Sequence, residues 1–399
     1  MPKIKFRDWH TRAALVLFDA VLLVVILNLV LYAILPPRHS KLQTPLDWYG
    51  RARIMKAYPG WQPDDVEVLL RETWRDQEYE PFTGFRQVPL RGKFLNIDPA
   101  GFRYSKDQAP WPPLPTATNV FVFGGSTTFG VGLPDGETIP SYLQEVAAAN
   151  HPVPPVKVYN FAQPAYFSSQ ELIQFEQLLN SGFVPQTAVF IDGVNDFTFV
   201  TGQPLFADRF RNFMAGKSQP GALDYLPLVR AMRWLRQHSP TPKSTQPRVA
   251  REDDSPLLQE TINRWLANKK MIDAIGHAYG VRTLFVWQPV PTYKYDLQYH
   301  FNVHSPRQLP SYIRLSGYGY PLMDKLYTQG KLDSNVLWLA DMQEDKRENL
   351  YVDNVHYNAA FSKEIAERIY TFIRETEGET HSLAASKCKA DGPNITSGQ

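Results

Sequence analysis

The stretch Asn119-Val120-Phe121-Val122-Phe123-Gly124-Gly125-Ser126-Thr127-Thr128-Phe129-Gly130 decides the fold. Its β-branched and aromatic run, residues 120–123, has strand character, then stops at two glycines and delivers a serine. A strand that ends in such a turn presents a hydroxyl at the carboxyl edge of a sheet, where α/β proteins place their chemistry. A phosphate loop would need Gly-Lys-Ser/Thr here and a dinucleotide loop G-x-G-x-x-G, and neither is present. Read alone, the segment is either a nucleophile turn or a structural strand-to-helix turn.

Outward from it, the pattern alternates. Residues 139–149 and 169–180 read as helices, and 156–161, 188–192 and 282–288 as further short apolar strands. This rhythm predicts an α/β domain with a mainly parallel sheet covered on both faces. It breaks between about 200 and 255, where a proline- and arginine-bearing insertion places Leu228, Met232 and Leu235 at helical spacing among Arg230, Arg233 and Arg236. That piece reads as a domain cap or as a basic amphipathic helix on an anionic membrane. Upstream, residues 66–74 are amphipathic, and 81–86 and 98–103 read as turns between short strands.

Two more segments carry polar groups into turns. Val189-Phe190-Ile191-Asp192-Gly193-Val194-Asn195-Asp196 runs a strand into a turn where an asparagine amide is able to donate toward an oxyanion and Asp196 to hold the backbone. Tyr351-Val352-Asp353-Asn354-Val355-His356 puts a carboxylate three residues before an imidazole, just ahead of a predicted helix over 359–374. In a short turn that spacing lets Asp353 accept from one ring nitrogen and leaves the other to take a serine proton. Each segment alone is ordinary turn composition; the ordered set is what points to chemistry.

Gly124-Gly125-Ser126, Asn160 with residues 162–170, Gly193-Val194-Asn195-Asp196 and Asp353-Asn354-Val355-His356 resemble the blocks of the SGNH/GDSL hydrolase superfamily, in the family's order. The resemblance covers roughly residues 119–373, interrupted by the insertion. It implies a three-layer α/β/α flavodoxin-like fold with Ser126 as nucleophile, His356 as general base and then acid, and Asp353 orienting the histidine. It also implies an oxyanion hole from the Ser126 backbone N–H, a second-block backbone N–H and the Asn195 side chain, supported by Gly193 and Asp196. Gly125 replaces the acidic residue that often precedes the nucleophile. Ala165 stands where the family usually has a donating glycine; it keeps the N–H but tolerates positive φ less well.

The first residues place this domain. Residues 13–35 are apolar except for Asp19 and Asn28, long enough to cross a hydrocarbon core of roughly 30 Å. No A-x-A-like cleavage site follows, so an uncleaved anchor is expected rather than a signal peptide. Lys3, Lys5, Arg7 and Arg12 precede the span, which predicts a cytoplasmic N-terminus and an outward, periplasmic domain. The expected organisation is a cytoplasmic segment 1–12, an anchor 13–35, a linker and extension 36–118, the hydrolase domain 119–376 and a disordered polar tail 377–399.

With 42 basic and 40 acidic residues, the chain has no global field of the kind that attracts nucleic acid. Its single cysteine, Cys388, excludes an intrachain disulfide framework and a cysteine-built metal site. No metal or organic cofactor is expected. The expected activity is hydrolysis of O-acyl esters, O-acetyl among them, of an envelope glycan or lipid. Trp48, Trp61, Trp74 and Trp111 are candidates to stack on sugars or fill the core. The alternatives are acyl transfer to a glycan hydroxyl by the same triad and a non-catalytic envelope scaffold; envelope-assembly proteins are candidate partners.

Overall fold

The computed structural model describes residues 6–34, 46, 49–215, 226–229, 231–232 and 255–390. The chain forms two compact units, residues 1–43 with 208–249, and residues 44–207 with 250–399.

The first unit is built on helix α1, Phe6–Ile34, whose portion Trp9–Ile34 is long and apolar enough to cross a membrane and buries none of its side chains. The helix contains nearly all of the expected span and begins before it; Leu35 lies outside the described residues. Asn28, costly in hydrocarbon if unpaired, donates to the Val24 carbonyl at 2.8 Å and accepts from the Leu228 N–H at 3.1 Å. Leu228 and Met232 are helical, as their spacing predicts, whereas Arg230, Arg233, Leu235 and Arg236 lie outside the described residues.

The second unit holds the sheet. Five parallel strands, β5 (Thr118–Gly124), β6 (Val156–Asn160), β7 (Thr187–Asp192), β8 (Arg282–Trp287) and β9 (Val336–Trp338), lie in the order β6-β5-β7-β8-β9. Two small antiparallel pairs precede them, β1 (Gln77–Glu78) with β2 (Arg86–Gln87) and β3 (Leu90–Arg91) with β4 (Asn96–Ile97). The chain leaves β5 for β6 on one side and later fills the other with β7, so the strand order reverses at the carboxyl end of β5. Ligands of open α/β sheets bind at such a switch point.

The alternation Val-Phe-Val-Phe in β5 sorts the two faces, because successive strand side chains point to opposite sides. Phe121, Phe123, Phe190 and Phe285 face one layer, and Val120, Val122, Val189, Ile191, Leu284 and Val286 the other. Phe123, Phe190 and Phe285 stack across three strands, at 4.8 and 5.3 Å between centroids. Helices α5 (Ser168–Asn180), α7 (Ser255–Tyr279) and α8 (Ser311–Thr328) cover the aromatic face with Phe175, Trp265 and Tyr320, among others. Helices α4 (Ile139–Ala149) and α9 (Ala359–Ala390) cover the aliphatic face with Leu143 and Ile365. Each such side chain contributes roughly 1.5–3 kcal/mol when fully buried.

Leu46 and residues 49–73 pack into this same unit. Helix α2 (Pro63–Thr73) buries Val66, Leu69 and Leu70 with Leu46, Ile54 and Tyr58 against Leu133 and Val352 of the sheet domain. The last helix continues to Ala390, past residue 377 where composition predicts disorder; alanine- and glutamate-bearing sequence there is compatible with helix. The expected tail residues 391–399 lie outside the described residues.

Candidate active site

Three turns meet at the carboxyl edge of β5 and β7. The first is the nucleophile turn, where Ser126 opens the short helix α3 (Ser126–Phe129) directly after β5. A Cβ on Gly124 would strike Thr128, and one on Gly125 would occupy the space of the Asn195 amide. The glycine standing in place of an acidic residue therefore makes room for the candidate oxyanion donor. Arg103, fully buried, braces the far end of the turn: Nη1 donates to the Phe129 and Gly130 carbonyls, both at 2.8 Å, and Nη2 to Leu133 at 2.6 Å. Its charge is met by Asp135 at 2.9 Å.

The second turn follows β9. Val352 N–H bonds the His356 carbonyl at 2.8 Å, closing a tight loop that faces Asp353 back onto the imidazole. Asp353 Oδ2 lies 2.7 Å from His356 Nδ1, and His356 Nε2 lies 2.8 Å from Ser126 Oγ. Asp353 Oδ1 accepts the Val355 and His356 backbone N–H groups at 3.0 and 2.9 Å. Burial alone would raise the Asp353 pKa, but the adjoining His356 and these backbone donors outweigh it and hold the carboxyl at about 2. Asp353 is thus an anion able to orient the ring with Nδ1–H toward itself, leaving Nε2 to accept from the serine.

The third turn, after β7, carries Asn195 on helix α6 (Val194–Thr198). Its Nδ2 donates to the Tyr166 carbonyl at 2.6 Å, using one of two hydrogens. Ala165 adopts φ 69°, the left-handed conformation that a glycine takes without penalty. Neither the Ala165 nor the Ser126 backbone N–H has an acceptor among the described residues. Asp196 holds the turn from beneath: Oδ1 accepts from Ser168 Oγ at 2.6 Å. Gly193 has φ 136° and lies so close to Tyr320 that a side chain there would clash.

Several contributors escape a motif search. Gln288 Oε1 accepts from Thr127 at 2.7 Å and from Tyr357 at 3.3 Å, tying the nucleophile turn to the histidine turn. Tyr49 donates to Asp353 Oδ2 at 3.0 Å, and the Trp74 ring meets His356 edge-on at 5.9 Å. Buried His300, held neutral by desolvation with a pKa of about 4, accepts the Asn302 and Val303 N–H groups at Nδ1.

A cleft of 660 Å³ opens beside the turn that carries Asp353 and His356, lined by Tyr49, Arg53, Trp74, Asn302, Tyr312 and Asn354 among others. Of the tryptophans considered for sugar stacking, Trp74 lines this cleft. Trp61 packs on Tyr58 and Phe94, and Trp111 on Phe183 and Phe161, as structural residues; Trp48 lies outside the described residues. Among the described residues, no group of three or more His, Cys, Asp or Glu side chains is arranged to hold a metal ion.

The four blocks that resemble the SGNH/GDSL superfamily thus share one site. Solved structures similar to the chain include a lipase from a goat rumen metagenome, 14% identical, with 64% of this chain and 96% of that one covered and a TM-score of 0.39. An acetylxylan esterase from Geobacillus stearothermophilus, in a catalytic-mutant form, is 14% identical over 64% and 94%, with a TM-score of 0.35. A member of the lipolytic G-D-S-L family from Veillonella parvula is 9% identical over 63% and 94%, with a TM-score of 0.31. No family model and no curated protein matches the chain. These likenesses are distant.

Proposed function

We propose that the protein is a membrane-anchored serine esterase, its site facing outward, that hydrolyses O-acyl esters, O-acetyl among them, of a cell-envelope glycan or lipid. The observation that carries this reading is the continuous relay from Ser126 Oγ through His356 to an ionised Asp353, beside donors left without acceptors. Ser126 Oγ attacks the ester carbonyl as His356 Nε2 takes its proton. The Ser126 and Ala165 N–H groups and the second Asn195 amide hydrogen stabilise the oxyanion. His356 then protonates the departing alcohol, and water, activated by the same nitrogen, releases the acid.

The polar cleft beside His356 suits a hydroxyl-rich alcohol portion: it offers two asparagine amides, one guanidinium and three aromatic rings. The outward placement is supported by the apolar span within helix α1 and by Lys3, Lys5, Arg7 and Arg12, which precede that span.

The full chain in detergent micelles is expected to hydrolyse a short-chain aryl ester and to be labelled at Ser126 by a fluorophosphonate. Ser126→Ala should remove at least three orders of magnitude of kcat/KM while leaving the circular dichroism spectrum unchanged. Absence of both turnover and labelling would overturn the reading. Acyl transfer to an added oligosaccharide faster than hydrolysis would replace esterase with transferase.

A further inference from the structure

The triad as the resemblance implies it ends at Asp353, but the hydrogen bonds do not. Asp353 Oδ2, the oxygen that holds His356 Nδ1, accepts a second bond from the Tyr49 hydroxyl at 3.0 Å, across 304 residues of chain. We propose that Tyr49 is a positioning residue for the proposed reaction: it fixes the Asp353 carboxylate in the plane of the imidazole and shares its charge, so that residues upstream of the sheet complete the relay.

Three observations carry this. The tyrosine is held in place by the extension: Leu46, Ile54 and Tyr58 pack with helix α2 onto Val352, the residue immediately before Asp353. Burial and the neighbouring Asp353 charge push the Tyr49 pKa upward, so the hydroxyl stays protonated and serves as a donor. Finally, Tyr49 completes the donor set of Asp353: Oδ1 takes two backbone N–H groups, and Oδ2, which would otherwise hold the imidazole alone, takes the phenol as well. Oδ2 is the oxygen that faces the ring, so a second donor there narrows the motion of the carboxylate against the imidazole beyond what the Oδ1 bonds impose.

Charge sharing has a direction. A donor on Oδ2 lowers the proton affinity of the carboxylate and weakens its pull on the imidazolium that forms as Ser126 attacks. Removing the phenol hydroxyl leaves a carboxylate that is more basic and less fixed. The groups that act on Asp353 electrostatically are His356, His300, Tyr49, Tyr58 and Tyr312, and of these Tyr49 alone donates to it from the extension.

The inference rests on the proposed hydrolase reading, and its test separates the two. Tyr49→Phe in the full chain in detergent micelles keeps the ring and removes the hydroxyl. Aryl acetate hydrolysis is expected to show kcat lowered about tenfold with KM little changed, and the acid limb of the kcat/KM profile displaced to higher pH. In an Asp353→Asn background the same change should cost less than twofold, because its target charge is gone. Wild type that labels with fluorophosphonate, together with a Tyr49→Phe variant of unaltered kcat and pH profile, overturns the role of Tyr49 and leaves the hydrolase reading intact. A tenfold loss that persists undiminished in the Asp353→Asn background overturns it too, by showing that the tyrosine acts on packing. Wild type that neither labels nor turns over overturns the hydrolase reading, and the positioning role with it.

Discussion

Two sets of carboxylates in this protein are buried to the same degree and end in opposite states. Asp353 is 5% exposed, while Glu171, Asp192 and Asp196, beneath the Asn195 turn, are 1%, 4% and 0% exposed. Asp353 meets donors on both oxygens and is held ionised. In the second set, neither Glu171 oxygen meets a donor, Asp192 has only the Trp265 indole at 2.9 Å, and one Asp196 oxygen is unanswered. Arg264, the nearby cation, spends its donors on the Val200, Asp196 and Phe199 carbonyls instead. Burial first, then the charge of neighbouring carboxylates, Asp192 and Asp196 for Glu171 and Asp196 for Asp192, raises the pKa of both groups, so this pair favours a protonated form. What decides the charge of a buried acid here is the number of donors aimed at it, not its depth.

The strongest way to break that contrast is to remove the charge where it is used. Asp353→Asn keeps the shape of the turn but offers the histidine an amide, favouring the wrong tautomer. Aryl ester hydrolysis is expected to fall about 10⁴-fold, as in other serine-histidine-aspartate sites, with an unchanged fold by circular dichroism. A loss of less than tenfold would mean that ionised Asp353 does not serve the histidine.

The two sets also pull stability in opposite directions with pH. For Asp353 the folded pKa, about 2, lies below the unfolded value near 3.9, so its contribution is present above pH 4 and is lost as pH falls toward 2. Glu171 has a folded pKa well above its unfolded value; its contribution is present below about pH 4 and declines as pH rises through the folded value. Urea unfolding between pH 3 and 9 should therefore show a maximum on the acid side of neutrality. Glu171→Gln retains a donor toward Asp192 and removes the proton. It is expected to raise stability at pH 8 relative to wild type and to flatten a slope that amounts to about 1.4 kcal/mol per pH unit for one proton. A variant less stable than wild type at pH 8 would show that Glu171 is ionised and paired.

Much of the catalytic set is legible in sequence because each part is local. Asp353 and His356 are three residues apart, Ser126 follows its own strand, and the Val-Phe alternation that sorts the sheet's faces is written within four residues. The supporting contacts are not local: Tyr49 reaches Asp353 across 304 positions and Thr127 reaches Gln288 across 161, and no periodicity encodes such pairs. Strand β9 has only three residues, too few for alternation to stand out, and helix α8 carries Pro321 in its interior, which reads as a break. The raised acids look like ordinary turn and helix composition, since sequence shows carboxylates but not which donors reach them.

The smallest expected effect tests whether donor geometry, rather than residue type, also governs the oxyanion side. Ala165 sits at φ 69° where a Cβ is strained by roughly 1–2 kcal/mol, yet its N–H is left free beside Ser126. Ala165→Gly relieves that strain but gives the unfolded chain more freedom, worth about 0.4–1 kcal/mol in the other direction. The net change in thermal unfolding is therefore expected to be a gain of about 0–1.6 kcal/mol, and kcat should stay within about twofold because the donor keeps its position. A tenfold rise in kcat would show that the methyl group displaces the N–H, and that the alanine weakens the oxyanion hole. An unchanged kcat would mean that the surrounding bonds, Tyr166 N–H to the Gln163 carbonyl and Asn195 to the Tyr166 carbonyl, impose the conformation whichever residue stands there.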